Sequence, residues 1–385
     1  MKRIKMPLLA RIIIAILLGV IFGNFFNEAA VRAFLTFNGI FSQFLGFMIP
    51  LIIIGLVTPA IADIGHGAGK LLLATVGIAF ADTILAGLLA YGTGSALFPN
   101  MIANSAHVAV DKVEELKPFF EIKIPAMVDV MSALVFSFIA GLGIAHKGSR
   151  TMQNVFQEFK EIVSGIIAKV IIPLLPLYIF GIFLGMTFSG EAYHILLVFA
   201  QIILVILVLH IVILLYEYLL AGGLSHKNPF KLLFNMLPAY FTALGTSAAA
   251  TIPVTLKQTL KNGVTDGIAG FTIPLCATIH LSGSMMKITC CALTICLING
   301  MPCNLPLFLN FIFVLAICMV AAPGVPGGAV MAALGPLASV LGFNADMQAL
   351  MIALYIAMDS FGTACNVTGD GAIAIVVDKI FRKDK

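Results

Sequence analysis

Charge is scarce in this sequence: Asp, Glu, Lys and Arg make up only 10% of its 385 residues, and tryptophan is absent. A soluble domain carries about a quarter of its residues charged, so that class is excluded. Long apolar–polar alternation is missing too, which removes the strands of a membrane barrel. The cysteines lack ligand spacing. Cys276, Cys290, Cys291, Cys296, Cys318 and Cys365 lie in apolar stretches and Cys303 in a loop, which fits small buried thiols rather than a zinc centre. There is no Walker-type phosphate loop to support direct use of ATP, no basic patch suited to nucleic acid, and no readable nucleophile arrangement. An enzyme is not expected.

What the chain does have is apolar length. It is 61% hydrophobic, with a mean hydropathy of +1.09. Several runs approach the 20 or so residues that cross a bilayer, and backbone groups facing lipid have to be satisfied within their own segment, which forces helices. The fold class is therefore an all-α integral membrane protein, with eight transmembrane helices over 8–24, 38–62, 68–92, 127–146, 158–189, 194–221, 267–299 and 346–377. The basic start MKRIKM before RIIIAILLGVIFG has the look of a signal peptide, but further spans follow directly and the segment reads as a retained first helix. Pro173 and Pro176 predict a bend in the fifth span, and His210 a structural role.

Two apolar segments are interrupted at their centres: 229–262 by GTSAAATIP and 305–343 by AAPGVPGG. A spanning helix does not need such a centre. A re-entrant hairpin does, and that backbone is tolerated at membrane depth only where protein covers it or it lines a cavity. MKRIK, the Lys147/Arg150 loop, SHKNPFK and the KIFRKDK tail fall on one side if eight spans and two re-entrant hairpins are counted. The positive-inside rule then makes both termini cytoplasmic. The hairpins enter from opposite faces, as at a binding site approached from both sides.

Polar residues interrupt the apolar background in a pattern. Asp359, Thr363, Asn366 and Asp370 recur at offsets of four, three and four, one stripe of a helix. A carboxylate at the centre of a spanning helix costs about 2.5–3.5 kcal/mol on insertion scales, so both acids need compensation. A cation suits Asp370 and a substrate amino group suits Asp359; buried lysine partners are the structural alternative. In FTIPLCATIHLSGSMMKITC, the hydroxyls of Thr278, Ser282 and Ser284 surround Gly283, which suggests an unwound point with carbonyls free for sodium. His280 is a core histidine or a proton-sensitive group. Lys287 binds a substrate carboxylate, supplies internal charge in place of an ion, or snorkels. Asp82 is a further intramembrane acid, and the hairpin tips offer Thr246, Ser247, Thr251 and the 324–328 turn.

TALGTSAAATIPVT, FTIPLCATIHLSGS, AAPGVPGG and NVTGD occur in this order, and together they resemble the dicarboxylate/amino acid:cation symporter family. The resemblance implies a homotrimer with an elevator-type transporter fold in a plasma membrane, a bacterial inner membrane. It divides the chain into scaffold helices (1–66 and 127–190), an extracellular loop (93–126) and a mobile transport domain (67–92 and 191–385). It also implies a small-molecule substrate, amino acid or dicarboxylate, with Na+ as coupling ion. The matching positions give the substrate amino group to Asp359 and other substrate atoms to Thr363, Asn366, Ser247 and the second tip, including Val325 and Gly327. They give sodium to Asp370 with Asn366, and a second sodium site to Thr278.

The departures from the pattern are informative. The seventh-span motif Asn-Met-Asp-Gly-Thr is here His280-Leu281-Ser282-Gly283-Ser284, so one carboxylate ligand is missing. Acidic-amino-acid carriers place an arginine where this chain has Gly362. The reading is a sodium-coupled carrier of a neutral amino acid. The alternative is a proton- or sodium-coupled carrier of acidic amino acids or dicarboxylates, with Lys287 as the carboxylate partner.

Overall fold

The computed structural model describes residues 8–65, 69–105, 116–190, 192–320, 322 and 327–382, and no strand occurs among them. The helices are α1 (Leu8–Gly23), α2 (Glu28–Gly65), α3 (Lys70–Ser105), α4 (Val130–Lys147), α5 (Arg150–Ile166), α6 (Ile172–Phe188), α7 (Ala192–Ser225) and α8 (Pro229–Ala243). They continue as α9 (Ala248–Lys261), α10 (Asp266–Ile279), α11 (Ser282–Ile298), α12 (Leu305–Met319), α13 (Gly328–Ser339), α14 (Ala345–Ala357) and α15 (Asp359–Phe381). Among the described residues, six stretches are long and apolar enough to cross a membrane: Glu28–Ala62, Lys70–Ala103, Arg150–Phe188, Ile195–Ser225, Asp266–Ile298 and Asp359–Phe381. The other apolar helices are shorter, α1 having 16 residues and α4 having 18.

The helices pack in two groups. In the first, α2 lies against α4, α5 and α6, and α1 against α6; in the second, α15 lies against α7, α8, α9, α10 and α11, with α3 along α11. Burial ranks the second group. The apolar windows of 266–298 and of α15 are each 83% buried, against 28% for that of α3. The most polar spans are thus the innermost ones, where protein groups rather than lipid meet their side chains.

Both interrupted segments turn back as hairpins, α8–α9 and α12–α13. Asn262 fastens the base of the first: its Nδ2 donates to the Leu232 carbonyl at 3.1 Å, and its Oδ1 accepts from Asn235 at 2.8 Å. At the tip, Ser247 caps α9 by accepting from the Ala250 amide, and the Thr246 and Thr251 hydroxyls lie 3.0 Å apart. The second hairpin enters α13 through Gly327, at φ +76, a left-handed conformation that glycine adopts without steric cost. Residue 325 lies outside the described residues.

Four expectations change. The 93–126 segment begins as helix, since α3 runs on to Ser105 with Phe98 fully buried. Instead of a simple proline bend, the fifth span has a π-helical turn over Ile167–Ile171. Pro173 follows that turn directly, at the start of α6, and Pro176 lies inside α6. The seventh span does break, but at His280–Leu281; Gly283 is already inside α11. The eighth span, read as continuous, breaks at Met358, which puts Asp359 at the start of α15.

Candidate functional site

The break between α10 and α11 leaves helix-end amides that no local side chain caps. Asn366 supplies the cap from α15: its Oδ1 accepts from the Gly283 amide at 2.8 Å and the Ser284 amide at 3.3 Å. Its Nδ2 donates to Ser284 Oγ at 3.1 Å, and that hydroxyl pairs with Tyr355 OH at 3.0 Å. The Gly283 carbonyl, expected to be free for an ion, instead accepts from His210 Nε2 at 3.1 Å. Asn366 and the Gly283 carbonyl are therefore hydrogen-bonded within the protein here. Asn366→Ala orphans two buried amides at about 1–3 kcal/mol each. We expect a loss of about 2 kcal/mol or more, read from the unfolding midpoint of the detergent-purified protein.

Below the cap, His280 stands between acids from three other helices. It is fully buried. Nε2 lies 2.9 Å from Asp82 Oδ2 on α3, and Nδ1 lies 3.0 Å from Asp370 Oδ1 on α15. Glu217 on α7 brings Oε1 to 4.0 Å from Nε2, and the same oxygen accepts from Ser282 Oγ at 3.1 Å. Oε2 of Glu217 has no hydrogen-bond partner among the described residues. The close approach depends on Gly369: a Cβ there would overlap Glu217 Oε2 and come within 2.8 Å of His280 Cε1. Sequence reasoning passed over Glu217, although an acid in LLYEYLL, in the C-terminal third of the sixth span, was a visible signal.

Eleven residues earlier on α15, about 16 Å of helix rise, Asp359 meets the second basic side chain. Lys287 is fully buried; its Nζ lies 3.6 Å from Asp359 Oδ1, 3.4 Å from the Met358 carbonyl and 3.8 Å from the centre of the Tyr355 ring. Asp359 Oδ2 accepts from the Gly327 amide at 3.0 Å, tying the second hairpin to α15. The Asp359 side chain keeps 20% exposure. Gly362 makes room for the ammonium, since a Cβ there would overlap Lys287 Cε and approach Nζ. Lys287 thus takes the space that a side chain at position 362 would otherwise fill.

The other expected residues scatter. Thr363 donates its hydroxyl proton to the Asp359 carbonyl at 3.0 Å on its own helix, which leaves the oxygen free to accept. Thr278 does not join the cluster: it is exposed on α10, ahead of the break, and its hydroxyl donates to the Leu275 carbonyl at 2.8 Å. Ser247 serves as a cap. Cation and substrate were expected to compensate the two acids, yet in this conformation each has a basic protein partner.

Two levels of polar side chains thus line the α11–α15 contact, linked through Tyr355, Ser284 and Asn366. The arrangement separates and pairs charge within an apolar bundle, as a carrier of charged solutes requires. Comparison with known proteins agrees. Residues 8–380 match the sodium:dicarboxylate symporter family. The serine/threonine transporter SstT of Acinetobacter baumannii strain AYE is 30% identical over 97% of this chain and 97% of its own length. The corresponding proteins of strains AB307-0294 and ATCC 17978 are equally similar. On that match and its apolar helices, the chain belongs to the sodium:dicarboxylate symporter family and is a multi-pass membrane transporter rather than an enzyme.

Proposed function

We propose that the protein is a secondary active symporter that carries a small neutral amino acid, driven by a cation gradient in which sodium is the external ion. The observation that carries this reading is the Asp359–Lys287 pair beside the Gly327 amide. At 3.6 Å the pair is a loose one, beyond good hydrogen-bond length, and one member is partly open. A zwitterion is its complement: the ammonium goes to Asp359, and the carboxylate to Lys287 and the tip amide. Charge decides the side-chain preference. The pair is neutral and a neutral amino acid leaves it so, whereas an acidic substrate brings an extra buried carboxylate with no second cation, which is expensive. The name of the Acinetobacter relatives points the same way.

The transport cycle fits the family's elevator scheme. Helices α1, α2 and α4–α6 act as the fixed scaffold; α3 and α7–α15 move as a unit, with α8–α9 and α12–α13 as opposed gates. Eight spans, a trimer, cytoplasmic termini and a plasma-membrane location, the inner membrane in a bacterium, complete the reading. Lys287, lying over Gly362, also favours a second reading, acidic amino acid or dicarboxylate transport. Uptake into proteoliposomes separates the two. Serine, threonine, alanine, aspartate, glutamate and succinate are tested with sodium and proton gradients imposed separately. Saturable, sodium-driven uptake of the neutral amino acids is expected; accumulation of the acidic solutes alone overturns the substrate assignment. Lys287→Met removes the carboxylate partner while Asp359 stays partly hydrated, so KM should rise at least about tenfold, a loss of one charge-assisted bond.

A further inference from the structure

We infer that the His280 imidazolium is a resident cation, occupying a position among Asp82, Asp370 and Glu217 that an external ion would otherwise have to fill. The inference rests on the symporter reading only for its consequence, one coupling ion fewer per cycle; the charge argument stands on the cluster itself. Ionised carboxylates accept hydrogen bonds and donate none, and a neutral imidazole has one N–H. Here both ring nitrogens lie at hydrogen-bond distance from carboxylate oxygens, 2.9 Å to Asp82 and 3.0 Å to Asp370. A neutral ring would press a lone pair against a carboxylate with no water between them. Two donors resolve this, and a ring with two donors is positive. Were one acid to hold the proton instead, the net charge of the group would be unchanged.

The occupied atoms matter as much as the charge. A hard cation such as sodium takes oxygen ligands. Asp82 Oδ2 and Asp370 Oδ1, which such an ion would use, both face N–H groups of the ring. Ser282 offers its hydroxyl to Glu217 Oε1 rather than to the centre of the cluster. The carboxylate that the 280–284 motif lacks is thus restored from α7, with the positive charge to balance it supplied by the chain. Glu217 Oε2 is buried and has no hydrogen-bond partner among the described residues.

The test replaces the charge and keeps the polarity. His280→Gln retains a donor and an acceptor but adds one uncompensated negative charge to the cluster. Purified wild type and variant are unfolded thermally in sodium chloride and in choline chloride. The inference expects sodium to raise the variant's midpoint by about 5 °C more than that of wild type at saturation. It also expects Asp370→Asn, added to the variant, to abolish the difference. A folded His280→Gln protein whose sodium response equals or falls below that of wild type overturns the inference. If the single variant does not fold in either salt, His280→Gln/Asp370→Asn decides: recovery of a monodisperse protein without sodium supports the charge role, and failure to recover overturns it. These readings need no substrate, so a failure of amino acid uptake would count against the proposed function and leave this result standing.

Discussion

Asp359→Asn is expected to abolish amino acid binding while the protein still folds. The amide oxygen of asparagine can keep the Gly327 bond, so the hairpin tip stays attached to α15. What disappears is the charge, on both sides of the site. The substrate ammonium loses its counter-ion, and Lys287 is left as a buried positive charge with only a carbonyl and the Tyr355 ring beside it. Breaking a buried ion pair by removing one partner costs about 3–5 kcal/mol, or roughly two to three orders of magnitude in affinity. The side chain's 20% exposure puts the effect toward the lower end. Calorimetric titration of serine and threonine into purified protein reads it directly, and wild-type affinity would remove Asp359 from the site.

Gly369→Ala should be strongly damaging for so small a substitution. The added methyl would meet Glu217 Oε2 and His280 Cε1. The imidazole cannot withdraw, being held by carboxylates on both nitrogens; Glu217 is held only through Oε1 by Ser282, so its Oε2 gives way first. Overpacking a core costs about 1–3 kcal/mol, and prising His280 from Asp370 adds the penalty of a broken buried pair. A loss of about 3 kcal/mol or more is expected, seen as a collapse of the monodisperse yield or of the unfolding midpoint. Gly77→Ala on α3, where the methyl meets nothing within 4 Å, serves as the control and should be nearly neutral. Equal behaviour of the two variants would show that the cluster tolerates separation of α7 from α15.

The sequence alone established the helical membrane class, because lipid leaves a backbone few ways to satisfy its polar groups. It placed both hairpins, because glycine, proline and small polar residues at the centre of an apolar run have no use in a straight span. It also gathered Asp359, Thr363, Asn366 and Asp370 onto one helix, since helical periodicity is a local property.

Periodicity says which face a side chain occupies, not what stands opposite. The Asp82–His280 contact joins residues 198 apart in the chain, and Asn366 becomes a cap for α11 only because that helix starts beside it. Only the tertiary structure decided that Glu217 joins the cluster, that Thr278 faces away and that Gly362 yields its space to Lys287. A charge in an apolar interior is stable according to its nearest neighbours in space, and folding brings those from helices that the order of residues leaves far apart.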